Sequence, residues 1–178
     1  MSDNTVKNNK FVSAVIVSAG NSTRMGGINK QFLEINNIPV IAHTINVFEK
    51  SDLIDEIVVV TRESDIDSIR DLILQYGFNK VSNVVKGGET RQLSVYNGVV
   101  NTSKNAEYVA IHDGARPLVT DKVICDTLYK AFEYGAAATG VSATAGATVG
   151  RAASYSAWMT ASPCSTSTSY IFPFKVTL

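Results

Sequence analysis

Phe11-Val12-Ser13-Ala14-Val15-Ile16-Val17-Ser18 is a run of β-branched and apolar residues that breaks directly into Ala19-Gly20-Asn21-Ser22-Thr23-Arg24-Met25-Gly26-Gly27. The first part reads as a strand buried on both faces. The second reads as the loop after such a strand, where small residues let a ligand approach backbone N–H groups. The same beat recurs downstream. Residues 57–61 (Ile-Val-Val-Val-Thr) form a second strand signal, and 81–85 and 108–111 are shorter versions. Helical stripes lie between them. Residues 39–50 place Ile41, Ile45 and Phe48 on one face. Residues 64–76 do likewise with Ile66, Ile69, Leu72 and Ile73, with Ser64 as the expected cap and Gly77 as the stop. Residues 90–100 and 121–134 supply two more helices, the last ended by Gly135. Strand and helix in strict alternation predict an α/β fold: a Rossmann-like, open, mostly parallel sheet with helices on both faces.

Composition sets the outer limits. The chain has 178 residues, 45% of them hydrophobic and 18% charged, which excludes a disordered or collagenous protein. Sixteen bases balance sixteen acids, and a nucleic-acid binder would show a basic surplus. No stretch of 18 apolar residues spans a membrane, and the polar start at 1–10 lacks a signal-peptide core. Cys125 and Cys164 have no metal or redox spacing. A reduced, cytoplasmic protein is expected. The charge balance hides a seam, because residues 1–140 carry a net −2 and the last 38 carry +2 with no acid at all. Twenty of those 38 are Ala, Ser or Thr, and neither period 2 nor period 3.6 persists there.

Ligands of open α/β sheets sit beyond the carboxyl ends of the strands, and three segments of this chain are placed there. Residues 18–27 follow the first strand, with Arg24 and then Lys30 as cations suited to a triphosphate. There is no Gly-Lys-Ser/Thr of a Walker A loop and no G-x-G-x-x-G, which counts against a dinucleotide-dependent oxidoreductase. Gly87-Gly88-Glu89-Thr90-Arg91-Gln92-Leu93-Ser94-Val95 opens a helix with two glycines that make room for a flat ring, and Ser94 offers a hydroxyl one turn further in. Ile111-His112-Asp113-Gly114-Ala115-Arg116-Pro117 ends a strand on a carboxylate, where a divalent cation bridging phosphates finds a ligand. Asp113 is equally suited to pair with Arg116 or to cap a helix. His112 reads as a packed, hydrogen-bonded residue and His43 as part of a helix stripe. Three such segments at one edge point to a nucleoside-triphosphate site with a metal.

Ser-Ala-Gly-x-x-x-Arg-Met-Gly, Lys-Gln-Phe-Leu, Gly-Gly-x-x-Arg-x-x-Ser-Val and His-Asp-Gly-Ala-Arg-Pro occur in that order. Together they resemble the 2-C-methyl-D-erythritol 4-phosphate cytidylyltransferase family over about residues 11–141. The ribitol-5-phosphate cytidylyltransferases share most of these signatures. The resemblance implies a cytidylyl transfer from CTP to a sugar-alcohol phosphate, with Mg2+, in non-mevalonate isoprenoid synthesis, by a homodimer. It places Ala19 and Gly20 in the nucleotide pocket, Arg24 and Lys30 on the triphosphate, Gly88, Glu89 and Ser94 at the base, and Asp113 on the metal. The family often has Asp where Glu89 stands.

Beyond Val141 the family's motifs for dimerisation and for the alcohol phosphate are not readable. Residues 142–178 are therefore expected to be a separate, Ala/Ser/Thr-rich tail without fixed structure, and the fold to be incomplete at its C-terminal side. The acid-free composition suggests a shifted reading frame. A truncated, non-catalytic nucleotide-binding remnant is the competing expectation.

Overall fold

The structure, a computed structural model, describes residues 10–20, 29–139 and 170–173. Arg24, Trp158, Cys164 and most of the tail lie outside the described residues. In chain order the elements are β1 (Val12–Val17), a 3-10 turn (Lys30–Phe32), the short strands β2 (Glu34–Ile35) and β3 (Ile38–Pro39), then α1 (Val40–Lys50) and β4 (Glu56–Thr61). A second 3-10 turn (Glu63–Asp65) leads into α2 (Ile66–Tyr76), followed by β5 (Val81–Lys86), α3 (Arg91–Val100) and β6 (Tyr108–Asp113). The chain continues through α4 (Asp121–Tyr134) to β7 (Ala137–Ala138), and β8 (Tyr170–Pro173) completes the sheet.

Six strands form the main sheet in the order β5-β4-β1-β6-β8-β7. The apolar run that opens the chain is at its centre, with β1 parallel to both β4 and β6. β4 in turn pairs parallel with β5. Burial explains the composition of these strands. Every residue of β4 is buried, and so are five of the six in β1 and in β6. Alternation splits the buried residues between two layers. Ala14, Ile16, Ile57 and Val59 pack with Ile41 and Ile45 of α1, Ile69 of α2 and Leu128 of α4. Val15, Val60, Val109 and Ile111 pack with Val95 of α3. The chain steps from β1 to β4 to β5 in one direction and then returns past β1 to β6. A right-handed crossover that reverses direction must use the opposite face, so α3 lies across the sheet from α1 and α2.

Helix ends follow the sequence, with one exception. Thr90 and Thr120 cap α3 and α4 through Leu93 N–H (3.1 Å) and Val123 N–H (3.4 Å), and α2 stops at Gly77 with φ 66°. Ser64, the expected cap of α2, instead sits in the 3-10 turn and donates its hydroxyl to Asp65 (3.1 Å). Helix α2 begins only at Ile66, which leaves Asp65 and not Ser64 at its N-cap position. Two features were not anticipated. β2 and β3 form a hairpin around Asn36 and Asn37, both at positive φ (52° and 61°), as a two-residue primed turn requires. β8, from the tail, pairs antiparallel with β6 and β7. At the amino end of the sheet, Glu56 is buried and accepts from Ser13 Oγ (2.5 Å), Ser82 Oγ (2.7 Å) and Ser103 N–H (2.8 Å). One carboxylate thereby ties β1, β4, β5 and the loop before β6. Among the described residues no helix is long and apolar enough to cross a membrane.

Candidate functional site

The hydrogen-bond ladder of the parallel strands carries past their carboxyl ends into the loops. Ser18 N–H donates to the Val60 carbonyl (2.6 Å), Gly87 N–H to Thr61 (2.8 Å) and Gly114 N–H to Val17 (2.8 Å). Three loops are thus held side by side at the switch point of the sheet. They line an open cleft of about 1270 Å³, larger than the roughly 300–1,000 Å³ usual for one small ligand. Ala19, Gly20, Lys30, Gly88, Glu89, Ser94 and Asp113 all line it. Arg24 lies outside the described residues.

On one side of the cleft the first and second loops touch. A Cβ on Gly87 would collide with that of Ala19 and come within 2.9 Å of Ser94 Oγ, so only glycine permits the approach. Ser94 is buried; its hydroxyl accepts from Gly88 N–H (3.1 Å) and donates to the Thr90 carbonyl (2.9 Å). With the Thr90 and Gly88 carbonyls (2.9 and 3.3 Å) as acceptors for its single proton, Ser94 has a lone pair to offer a ligand. That suits an amino group on a ligand.

On the other side lie the charges. The cleft carries five cations (Lys30, Arg62, Lys86, Arg91, Arg116) and three carboxylates (Glu63, Glu89, Asp113). Four of the cations are already paired: Arg62 with Asp65, Lys86 with Glu63, and Arg91 and Arg116 with the two oxygens of Asp113 (2.8 and 2.9 Å). Among the described residues Lys30 is the one cleft cation without a carboxylate partner. The amide of its neighbour, buried Gln31, donates to the Ser18 carbonyl.

Asp113 answers both readings of the sequence. It pairs with Arg116, as the simpler reading expects, and it also lies at the cleft. No group of three His, Cys, Asp or Glu among the described residues could hold a metal alone. A magnesium-type cation that arrives on phosphates needs only one or two carboxylates, and each Asp113 oxygen keeps a second lone pair. The residues fit a cation delivered with a triphosphate, not a permanent protein-only site.

Behind Asp113, His112 is buried against Phe48 (ring centroids 5.1 Å apart), and its Nε2 meets the Arg116 carbonyl (3.1 Å). It holds the 113–116 turn. Burial pushes its pKa below the ordinary 6.5; the Arg116 carbonyl and the Asp113 charge oppose the shift, and the Arg116 charge adds to it. His43 bonds the Ile35 carbonyl (2.9 Å), a structural role. Cys125 lies away from the cleft, with its thiol pKa raised by burial and then by Asp121. Arg62 and Lys86 were missed from the sequence. They sit at the carboxyl ends of β4 and β5, and the rule that marked the other loops would have found them.

The family model for 2-C-methyl-D-erythritol 4-phosphate cytidylyltransferase (IspD) matches residues 12–155. The chain belongs to this family. IspD similarity therefore reaches past the seam near residue 141 into the segment expected to depart from the pattern. The chain is 48% identical over 130 residues to the 2-C-methyl-D-erythritol 4-phosphate cytidylyltransferase of Clostridium botulinum (strain Loch Maree / Type A3), over 72% of this chain and 57% of that protein. It is also 48% identical over 132 residues to the enzyme of the same name from Caldanaerobacter subterraneus subsp. tengcongensis, covering 73% and 58%. The crystal structure of 4-diphosphocytidyl-2C-methyl-D-erythritol synthase from Anaerococcus prevotii DSM 20548 superposes with a TM-score of 0.63 at 30% identity, over 71% of this chain and 53% of that one. The chain thus spans little more than half the length of the IspD relatives it matches.

Proposed function

We propose that the cleft binds CTP with a divalent cation, Mg2+ in the cytoplasm, and serves cytidylyl transfer to 2-C-methyl-D-erythritol 4-phosphate, giving a CDP-alcohol and pyrophosphate in isoprenoid synthesis. The observation that carries this reading is the charge of the cleft. Five cations and three carboxylates line its described wall, and with Asp65 behind Arg62 counted the balance is still positive, the sign that a metal-bound triphosphate of roughly −2 requires. Family membership favours methylerythritol phosphate over ribitol 5-phosphate as the acceptor. The nucleotide site lies within residues 11–141, and the alcohol phosphate and the partner subunit of a homodimer engage it from outside that range.

In the reaction an oxygen of the alcohol phosphate attacks the α-phosphorus in line, and the bond from that phosphorus to the bridging oxygen of pyrophosphate breaks. The chain's task is positioning and charge stabilisation. Gly88, Glu89 and Ser94 orient the base, and Ala19 and Gly20 bring backbone N–H groups to the phosphates. Lys30 and Arg24 meet the charge that accumulates as pyrophosphate leaves. Asp113 would hold the cation, which neutralises phosphate charge when bound.

Losing one such cation costs about 10²–10³ in rate. Lys30→Ala and Arg24→Ala are each expected to suppress pyrophosphate release to that extent. Turnover unchanged in both would refute the assignment. CTP binding without pyrophosphate release by the unaltered chain would instead favour the non-catalytic remnant.

A further inference from the structure

Asp65 stands at the N-cap position of α2, yet its side chain makes no capping bond. It is buried, and one carboxylate oxygen accepts from both Arg62 Nε (2.8 Å) and Asn29 Nδ2 (2.9 Å). Ser64 Oγ donates to the other oxygen (3.1 Å). The bond to Asn29 bridges 36 positions of sequence, from the exit of β4 to the residue just before Lys30. On the far side of Lys30, Gln31 is tied to the Ser18 carbonyl at the exit of β1. The turn itself closes by Phe32 N–H donating to the Asn29 carbonyl (3.1 Å). Lys30 is therefore clamped from both neighbours, once to each of two adjacent strands.

A carboxylate at a helix start normally serves the helix, where a cap stabilises by about 0.5–2 kcal/mol. Here it is turned away from the helix and spent on the site. We infer that Asp65, through Asn29, is a positioning residue that presents Lys30 to the terminal phosphates of the nucleotide. The inference rests on the triphosphate reading of the cleft. A lysine side chain loses much rotamer freedom when held on a ligand, and a fixed turn beneath it lowers the part of that loss that the backbone contributes. Asp65 touches no ligand in this account, so its effect must follow the phosphates that Lys30 reaches.

Calorimetric titration of the 178-residue chain with CTP and with CMP, both with magnesium, separates the possibilities. Asp65→Ala is expected to weaken CTP binding roughly tenfold, the loss of about one charge-assisted hydrogen bond, and to leave CMP binding within about twofold. Asn29→Ala should reproduce that split without touching a helix, and it decides the matter if Asp65→Ala does not fold. Asp65→Asn keeps an acceptor for Asn29 and should recover most of the loss. Equal weakening of CTP and CMP would show a merely structural role and overturn the inference, as would no weakening of either. Failure of the unaltered chain to bind CTP would overturn the nucleotide reading itself, and this inference with it.

Discussion

A buried imidazole one residue before a candidate metal ligand makes the stability of this chain depend on pH. Burial lowers the pKa of His112 from its ordinary 6.5, so the unfolded chain takes up that proton before the folded chain does. Stability rises with pH wherever the unfolded state binds more protons. The His112 contribution is therefore whole above about pH 6.5 and is lost progressively as pH falls below it. Melting temperatures between about pH 7.5 and pH 5.5 should fall for the parent chain and fall less for His112→Gln, which keeps a donor for the Arg116 carbonyl. An equal fall in both would place the acid sensitivity elsewhere.

At the scale of elements, the contact of α3 with the sheet is set by one missing side chain. A Cβ at Gly98 would run into Val15 and come within 2.7 Å of Val60 Cγ2. Both valines are wholly buried in central strands, so neither can give. Overpacking of this kind costs about 1–3 kcal/mol, while alanine in a helix regains about 1 kcal/mol over glycine. The net for Gly98→Ala is a loss, expected as a melting temperature lower by several degrees; an unchanged or raised value would mean that α3 can move. Legibility divides along the same lines. β1, β4 and β6 were readable because double-sided burial demands uninterrupted apolar runs, and α1 to α4 because each keeps one apolar stripe. The β2–β3 hairpin was not, since two-residue strands carry no period. The three site loops were legible from glycine and charge directly after strands. Their partners were not: Asp65 to Asn29 and Arg91 to Asp113 join residues distant in sequence, and nothing local at either end announces the other. Nor could composition place Tyr170–Pro173 beside β6, because an antiparallel pairing between segments so far apart in sequence leaves no local mark.

For the whole molecule, the neutral charge is a sum over two dissimilar populations. The patterned α/β part bears −2 overall yet concentrates a positive surplus at one sheet edge. Acidic surface elsewhere, such as Asp67, Asp121 and Glu133 on the helices, leaves that edge as the region where an anion is drawn in. β8 adds a second asymmetry. It covers the edge that β6 would otherwise present, and an open edge is a template for aggregation.

The Glu56 knot gives the sheet an inner division of labour. Glu56 and Thr61 are the two ends of β4, about 16 Å apart at roughly 3.3 Å per residue. The carboxylate that cross-links the strands thus lies at one end and ligand chemistry at the other. Sites separated by more than about 7–10 Å without shared partners act additively. Glu56→Ala, which strands the buried Ser13 hydroxyl and the half-buried Ser103 N–H, should lower unfolding free energy by at least about 2 kcal/mol. Combined with Lys30→Ala, the loss in stability and the loss in nucleotide affinity should each equal that of the corresponding single variant, as measured by denaturant titration and calorimetry. A coupling above about 0.5 kcal/mol would show the two ends to be one cooperative unit. Independence would mean that binding properties can drift under substitution while the scaffold keeps its margin, and that the scaffold can be reinforced without retuning the pocket.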